Sequence, residues 1–92
     1  MENKTTNNRR VIASVQNALN ILNLFDEFNP ELGNGEIASM LSMDPGTVAG
    51  QIYTLRLNGY LDQNPANHKY RLGLKLAERA NVLLYHLDLR KI

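Results

Sequence analysis

The sequence predicts a mainly α-helical domain that carries one small β-hairpin. Hydrophobic residues recur at helical spacing in four segments, and between the third and the fourth the pattern changes to the alternation of a strand. The chain has 92 residues, of which 43% are hydrophobic. This is enough for one small domain with a modest core and leaves no room for a second.

The composition excludes several classes of protein. There is no cysteine, no apolar run of about twenty residues and no signal-peptide pattern in the polar amino terminus. We therefore expect a cytoplasmic protein without a disulfide scaffold or a membrane partner. Ten basic and nine acidic residues give a formal charge of +1, which does not by itself indicate a nucleic-acid partner.

The amino-terminal segment, residues 1–10, is polar and ends in Arg9 and Arg10. We expect a flexible arm, in which the two arginines are either solvated or lie against DNA phosphates or in a minor groove. The first helix is predicted to have Ser14 as its N-cap and to extend to about Phe28. Its core face would contain Val15, Ala18, Leu19, Leu22 and Phe25.

The central pattern of the chain lies in residues 34–59, where two short helical patterns are separated by four residues that include Asp44 and Pro45. Asp44 can cap the second helix, and Pro45 suits the first helical position because no N–H is needed there. This is the pattern of a helix-turn-helix, whose second helix enters a groove of DNA. The predicted core residues of the two helices are Ile37, Leu41, Val48, Ile52 and Leu55.

The outer face of the second helix contains two glycines, each of which costs about 1 kcal/mol relative to alanine. Helical rotation turns Gly46, Gly50, Tyr53 and Leu57 outward and Thr47, Ala49 and Thr54 to the flanks. One explanation is that glycine lets the backbone approach DNA closely, so that the threonines, Ala49 and Tyr53 meet thymine methyls, base edges or phosphates. The alternative is that sequence reading has weakened and that the domain is an association module with loose DNA binding.

A β-hairpin is predicted between Tyr60 and Leu72, with its turn in residues 62–67. Lys69 and Arg71 alternate with apolar residues and therefore share one face of a strand. A hairpin here is the wing of a winged helix-turn-helix. His68 is expected to be an exposed hydrogen-bonding residue at the tip, because the other histidine is distant and the chain has no cysteine with which to bind a metal.

The last predicted helix, residues 74–92, has apolar residues on more than one face. Either it has a wide core face, covered in part by Val11 and Ile12, or it packs partly on the domain and partly on a second copy. We favour a homodimer. The dimerisation residues would be Leu76, Ala80, Leu83, Leu84 and Leu87.

No pattern in the sequence indicates catalysis, a metal or a cofactor. There is no glycine-rich phosphate loop, no cluster of metal-ligating residues and no serine with a nearby histidine and acid. Tyr53 and Tyr60 could stack on single-stranded nucleic acid, although Tyr60 is better placed to pack on the core.

In their order and spacing these segments resemble the amino-terminal winged helix-turn-helix of the IclR-type bacterial transcriptional regulators. The matching stretches are SVQNALNIL, EIASMLSM with TVAGQIYTL, NGYL and KYRLGLKL. The resemblance covers residues 11–92 and implies a DNA-binding domain in residues 11–73 and a linker or dimerisation helix in residues 74–92. It also implies a dimer on a pseudo-palindromic double-stranded operator, and a separate domain, absent from these residues, that senses a small-molecule effector.

The second helix departs from this family, whose members commonly have a Lys-Ser-Thr-Val-His-Arg-Leu-Leu run in it. Only Thr47 and Val48 match that run in kind. We therefore expect the positive charge to come from the arm, the wing and neighbouring residues, including Lys75. The predicted DNA-binding residues are Arg9, Arg10, Thr47, Ala49, Gly50, Tyr53, Thr54, Arg56, His68, Lys69 and Arg71.

Overall fold

The structure, a computed structural model, describes residues 9–88. They form four helices and a two-stranded antiparallel sheet, which confirms the predicted fold class. In chain order the elements are α1 (Ala13–Leu22), α2 (Asn34–Leu41), α3 (Pro45–Leu57), β1 (Leu61–Gln63), β2 (Tyr70–Leu72) and α4 (Lys75–His86). Within the described range, no helix has the length and hydropathy that crossing a bilayer requires. Of the predicted arm, residues 1–8 lie outside the described range.

Helix α1 is shorter than predicted and starts differently. Its N-cap is Ile12, without a side-chain cap bond, so the prediction of Ser14 as the cap is wrong. The helix ends at Leu22 rather than near Phe28. Asp26 folds the following segment into a turn, because its Oδ1 accepts hydrogen bonds from the backbone N–H groups of Phe28 and the next residue at 2.9 and 2.8 Å. An aspartate that bonds nearby N–H groups gives the backbone an alternative to continuing a helix.

The hydrophobic core lies between the first three helices and β1. Its buried members are Ile21, Phe25, Leu32, Ile37, Ala38, Val48, Ile52 and Leu61, and Leu22, Leu41 and Leu55 pack against them. Val15 and Leu19, which were predicted to be core residues, are instead 56% and 49% exposed. The buried side of α1 passes through Ile21, and at about 100° per residue the other two point well away from it.

The helix-turn-helix corner is built as predicted. Asp44 Oδ2 accepts a hydrogen bond of 3.1 Å from the N–H of Thr47, and Pro45 occupies the first turn of α3. Ser42, in the left-handed region at φ 54°, ends α2. The side-chain amide of Asn34 donates to the carbonyl of Pro45 at 3.2 Å. The Asn34 bond joins the first turns of α2 and α3, and the Asp44 cap fixes where α3 starts.

The wing is confirmed as a hairpin, although its turn lies later than predicted because residues 62 and 63 belong to β1. The strands pair Leu61 with Leu72 and Asp62 with Arg71. Leu32, in the loop before α2, extends the pairing: its N–H and carbonyl bond the carbonyl and N–H of Tyr70 at 2.9 and 2.8 Å. The wing is therefore attached to the body of the domain by its backbone.

Two glycines determine where α4 begins. Gly59 has a φ of 83°, and its carbonyl accepts a hydrogen bond of 3.0 Å from the N–H of Lys75. Gly73 is buried, and a Cβ there would collide with the carbonyl of Gly59. This close approach places the start of α4 beside the end of α3. The helix ends at His86, earlier than predicted, and residues 89–92 of the predicted helix lie outside the described range.

Candidate nucleic-acid interface

The outer face of α3 is exposed along the length of the helix. Val48 and Ile52 are buried on the opposite side, whereas Tyr53 is 65% exposed. The exposed positions are those predicted from the sequence: Gly46, Thr47, Ala49, Gly50, Tyr53, Thr54 and Leu57. None of these side chains carries a formal charge, so this face offers small, apolar and hydroxyl groups to a partner.

The hydroxyl groups on this face are not equivalent. Thr54 Oγ1 donates to the carbonyl of Gly50 at 3.0 Å, so its hydrogen is already used within the helix. The structure shows no such bond for the hydroxyls of Thr47 and Tyr53 within residues 9–88. These two are therefore the groups of the face that can donate a hydrogen bond to a partner without breaking one.

The two glycines of α3 have different surroundings. A Cβ at Gly46 would lie 3.0 Å from Asp44 Oδ2, the atom that caps the helix, so the cap accounts for a glycine there. A Cβ at Gly50 would have nothing within 4 Å. Gly50 lies in an open groove of about 480 Å³ between α1 and α3, which Ser14, Val15, Ala18, Thr47, Gln51 and Thr54 also line. No contact within the described part of the chain explains a glycine at this helical position.

The cations of the wing are paired with carboxylates of the same chain. Arg71 Nε and Nη2 donate to Asp62 Oδ2 at 3.0 and 2.9 Å, and its Nη1 lies 3.6 Å from Glu31 Oε2. Lys69 Nζ lies 3.5 Å from Glu36 Oε1. The predicted common face of the two cations thus lies beside three acidic groups, which reduces its positive potential.

Hydrogen bonding and nearby cations keep these carboxylates ionised. The amides of Asn67 and Asn64 lower the pKa of Glu31, and Arg71 and Lys69 add to that effect. The N–H of Gly33 and then Lys69 lower the pKa of Glu36, and the Arg71 guanidinium lowers that of Asp62. A bond to the ionised form of a carboxyl favours that form. All three groups are therefore anions near neutral pH.

The other predicted contact residues lie around α3. Arg56 is exposed in its last turn and shares a groove with Tyr53 and Asp62, beside β1. Arg9 and Arg10 are exposed just before α1, whose first turn borders the groove at Gly50. His68 is exposed at the wing turn with a φ of 64°.

The predicted dimerisation residues on α4 are accessible in varying degree. Leu83 is 59% and Leu87 is 55% exposed, Ala80 is exposed, and Leu76 and Leu84 are half-buried. No residue of α4 is fully buried. The alternative to a dimer requires Val11 and Ile12 to pack over part of α4, but both residues are exposed.

Sequence reasoning missed the clamp between Glu31 and the wing turn. Asn64 and Asn67 carried a signal for a turn, but nothing local showed that their amides would meet a carboxylate more than thirty residues earlier. As for metals, residues 9–88 contain no group of three or more His, Cys, Asp or Glu side chains that could hold an ion.

Comparison with known proteins agrees with this geometry. Residues 14–65 match the IclR helix-turn-helix domain. The chain belongs to the IclR family. It is 43% identical over 81 residues to the HTH-type transcriptional regulator XynR of Escherichia coli (strain K12), and 35% identical over 81 residues to the glycerol operon regulatory protein of Streptomyces griseus. Each alignment covers 88% of this chain and 32% of the relative.

The fold agrees with solved members of the IclR family. The crystal structure of an IclR family transcriptional regulator from Brucella abortus superposes with a TM-score of 0.75 at 27% identity, over 84% of this chain and 30% of that one. This chain thus spans about a third of the length of its relatives. It contains the IclR helix-turn-helix DNA-binding domain, and the relatives that share this domain are transcriptional regulators, a class without enzymatic activity.

Proposed function

We propose that this IclR-type domain binds a double-stranded operator as a homodimer, with α3 in the major groove and the wing against the backbone. The main observation that supports this proposal is the exposure of the outer face of α3 from Gly46 to Leu57, while the opposite side of the helix packs in the core. A helix of this kind can enter a groove about 12 Å wide without disturbing its own packing. Thr47, Ala49, Gly50, Tyr53 and Thr54 would meet the base edges.

The attraction to phosphates comes from several parts of the domain. Arg9, Arg10 and Arg56 are exposed. Lys69 and Arg71 lie beside carboxylates and would have to exchange those partners for phosphates. His68 adds a hydrogen-bonding group at the tip of the wing. Because several cations take part, the affinity for every duplex should fall steeply as salt rises.

The dimer would form through α4. An exposed leucine left in water forgoes roughly 1.5 to 3 kcal/mol relative to a buried one, and Leu83 and Leu87 are both more than half exposed. Two-fold pairing of these helices would place two copies of α3 on one side of the assembly, as a pseudo-palindromic operator requires. Because the relatives extend well beyond the matched third, we further propose that a small-molecule effector acts through a domain outside these 92 residues.

Fluorescence anisotropy with labelled duplexes tests this function. We expect the 92-residue chain to bind duplex DNA with a strong salt dependence. Replacing Lys69 and Arg71 together with alanine should weaken binding to all sequences about equally, whereas Thr47→Ala or Tyr53→Ala should reduce discrimination between sequences. Asn81→Ala, on α4, is the control and should change neither property. Failure to bind any duplex at low salt would overturn the proposal, and binding without any preference in a selection from random DNA would favour the association-module alternative.

A further inference from the structure

We propose that α3 recognises thymine through its C5 methyl group, and that it does not read guanine or adenine by paired hydrogen bonds. This inference rests on the proposed function, since it requires α3 to lie in the major groove. It names the class of base that the helix selects, which membership in the family does not specify.

The side chains that read purines are missing from the outer face of α3. Arginine or lysine makes paired bonds to guanine, and asparagine or glutamine makes them to adenine. Gln51 is the one such residue between Gly46 and Leu55. It is half-buried, whereas the residues of the outer face are exposed, and helical rotation turns it about 100° from Gly50. Arg56 follows in the last turn, where it borders β1 and Asp62. The middle of the helix therefore has no group that makes the paired bonds to a purine.

The groups that remain on this face suit a methyl group. Ala49 and Thr47 are exposed and each offers a methyl. The hydroxyl hydrogen of Thr54 is bonded to the carbonyl of Gly50, so this exposed side chain offers a methyl and a hydrogen-bond acceptor. At Gly50 the space that a Cβ would occupy is open. An apolar group of the partner can therefore approach the helix closely at this point.

Thymine carries such a group in the major groove. Its C5 methyl is contacted by the side chains of alanine and threonine in protein–DNA recognition, and the other three bases lack it. The preferred half-site should therefore have thymines at the positions that face Ala49, Gly50 and Thr54. The preferred site should require guanine only at base pairs that α3 does not contact.

Uracil tests the inference directly, because it pairs as thymine does and lacks only the methyl. A preferred duplex is first selected from random DNA with the 92-residue chain, and its Kd is then compared with that of the same duplex synthesised with deoxyuridine. Each contacted methyl that is removed should raise Kd about fourfold. The slope of log K against log salt should stay the same, because the phosphate contacts are unchanged. A duplex of unrelated sequence is the control and should bind equally well in both forms.

A protein variant identifies the side chain involved. Thr54→Ser keeps the hydroxyl and its bond to Gly50 but removes the methyl, so it should reduce the ratio of the two Kd values without lowering the melting temperature. Equal binding of the thymine and uracil duplexes, or a selected site whose protected positions are guanines, would overturn the inference and leave duplex binding intact. Absence of binding to any duplex would instead remove the proposed function itself, and the inference with it.

Discussion

Glu31 Oε2 accepts a hydrogen bond of 2.9 Å from Asn64 Nδ2, and this bond joins the loop before α2 to the turn of the wing. The other carboxylate oxygen accepts one from Asn67 at 2.9 Å. Next to it, the backbone of Leu32 pairs with that of Tyr70. A single ionised side chain thus bonds both asparagines of the wing turn, so the position of the wing is fixed in the absence of DNA.

The first prediction concerns this clamp and its pH dependence. The pKa of Glu31 is lowered mainly by the amides of Asn67 and Asn64, so the folded state binds this proton less readily than the unfolded state. Its stabilisation is therefore complete above the unfolded pKa, about 4.3, and is lost as the pH falls through the lower folded pKa. Glu31→Gln should lower the melting temperature at pH 7 and should lose less stability than the wild type on acidification.

Thermal unfolding followed by circular dichroism between neutral and acidic pH measures both effects. Glu27→Gln is the matched control, because Glu27 is an exposed carboxylate a few residues earlier in the same loop. Equal behaviour of the two variants would show that the clamp does not stabilise the fold.

The second prediction separates the two glycines of α3. Gly50→Ala should raise the free energy of unfolding by about 1 kcal/mol, since alanine favours a helix and the new Cβ has open space. Gly46→Ala should raise the free energy of unfolding by less, because its Cβ would lie too close to the carboxylate of Asp44. At the same time Gly50→Ala should weaken DNA binding, since the added methyl lies on the outer face.

Denaturant unfolding and anisotropy titrations give the two quantities. Gly35→Ala in the first turn of α2, where a Cβ also meets nothing within 4 Å, is the control for added helix propensity. It should leave DNA affinity unchanged. A similar loss of affinity in both variants would mean that helix stiffness, and not close approach at Gly50, accounts for the effect.

The third prediction concerns Lys69 and its partner. Glu36 Oε1 accepts a bond of 2.7 Å from the N–H of Gly33 and lies 3.5 Å from Lys69 Nζ. Glu36→Gln keeps an oxygen for the N–H but removes the charge that holds the lysine. Affinity for all duplexes should therefore rise. The slope of log K against log salt concentration should steepen by about one, because Lys69 becomes available for one more phosphate contact. DNA titrations at several salt concentrations measure the affinity and this slope. Glu27→Gln is the control, because it makes the same change in net charge away from Lys69. An equal rise in both variants would refute a specific role of the ion pair.

The fourth prediction is that the chain dimerises through one face of α4. Sedimentation equilibrium over a wide concentration range should show a dimer, and Leu83→Glu or Leu87→Glu should shift it to monomer and weaken operator binding, because a buried charge is costly at an interface. Val82→Glu makes the same substitution on the opposite side of the helix, where the native side chain is 49% exposed, and should leave the dimer intact. A wild-type chain that stays monomeric at high micromolar concentration would contradict the proposal, and dissociation by Val82→Glu alone would assign the contact to the other face.

Part of the interface could be read from the sequence, and part could not. The rotation of α3 predicted which residues face outward, because the capped start at Asp44 and the inward Val48 and Ile52 set the phase of the helix. In the first helical segment the same reasoning chose Leu22 and Phe25 correctly but also placed Val15 and Leu19 on the core face, where they do not lie. Val15 and Leu19 are as hydrophobic as Ile21, so the periodicity admits more than one face, and packing against α2 and α3 selects the one through Ile21.

The sequence by itself determined the features that depend on a few neighbouring residues: the Asp44 cap, the hairpin of the wing and the uncharged outer face of α3. Each follows from a local hydrogen bond or from the period of a helix or strand. Only the tertiary structure decided that Lys69 and Arg71 lie beside Glu36 and Glu31. Those partners are more than thirty residues apart in the chain, and their meeting depends on how the wing packs against the loop and first turn of α2, which no local pattern encodes.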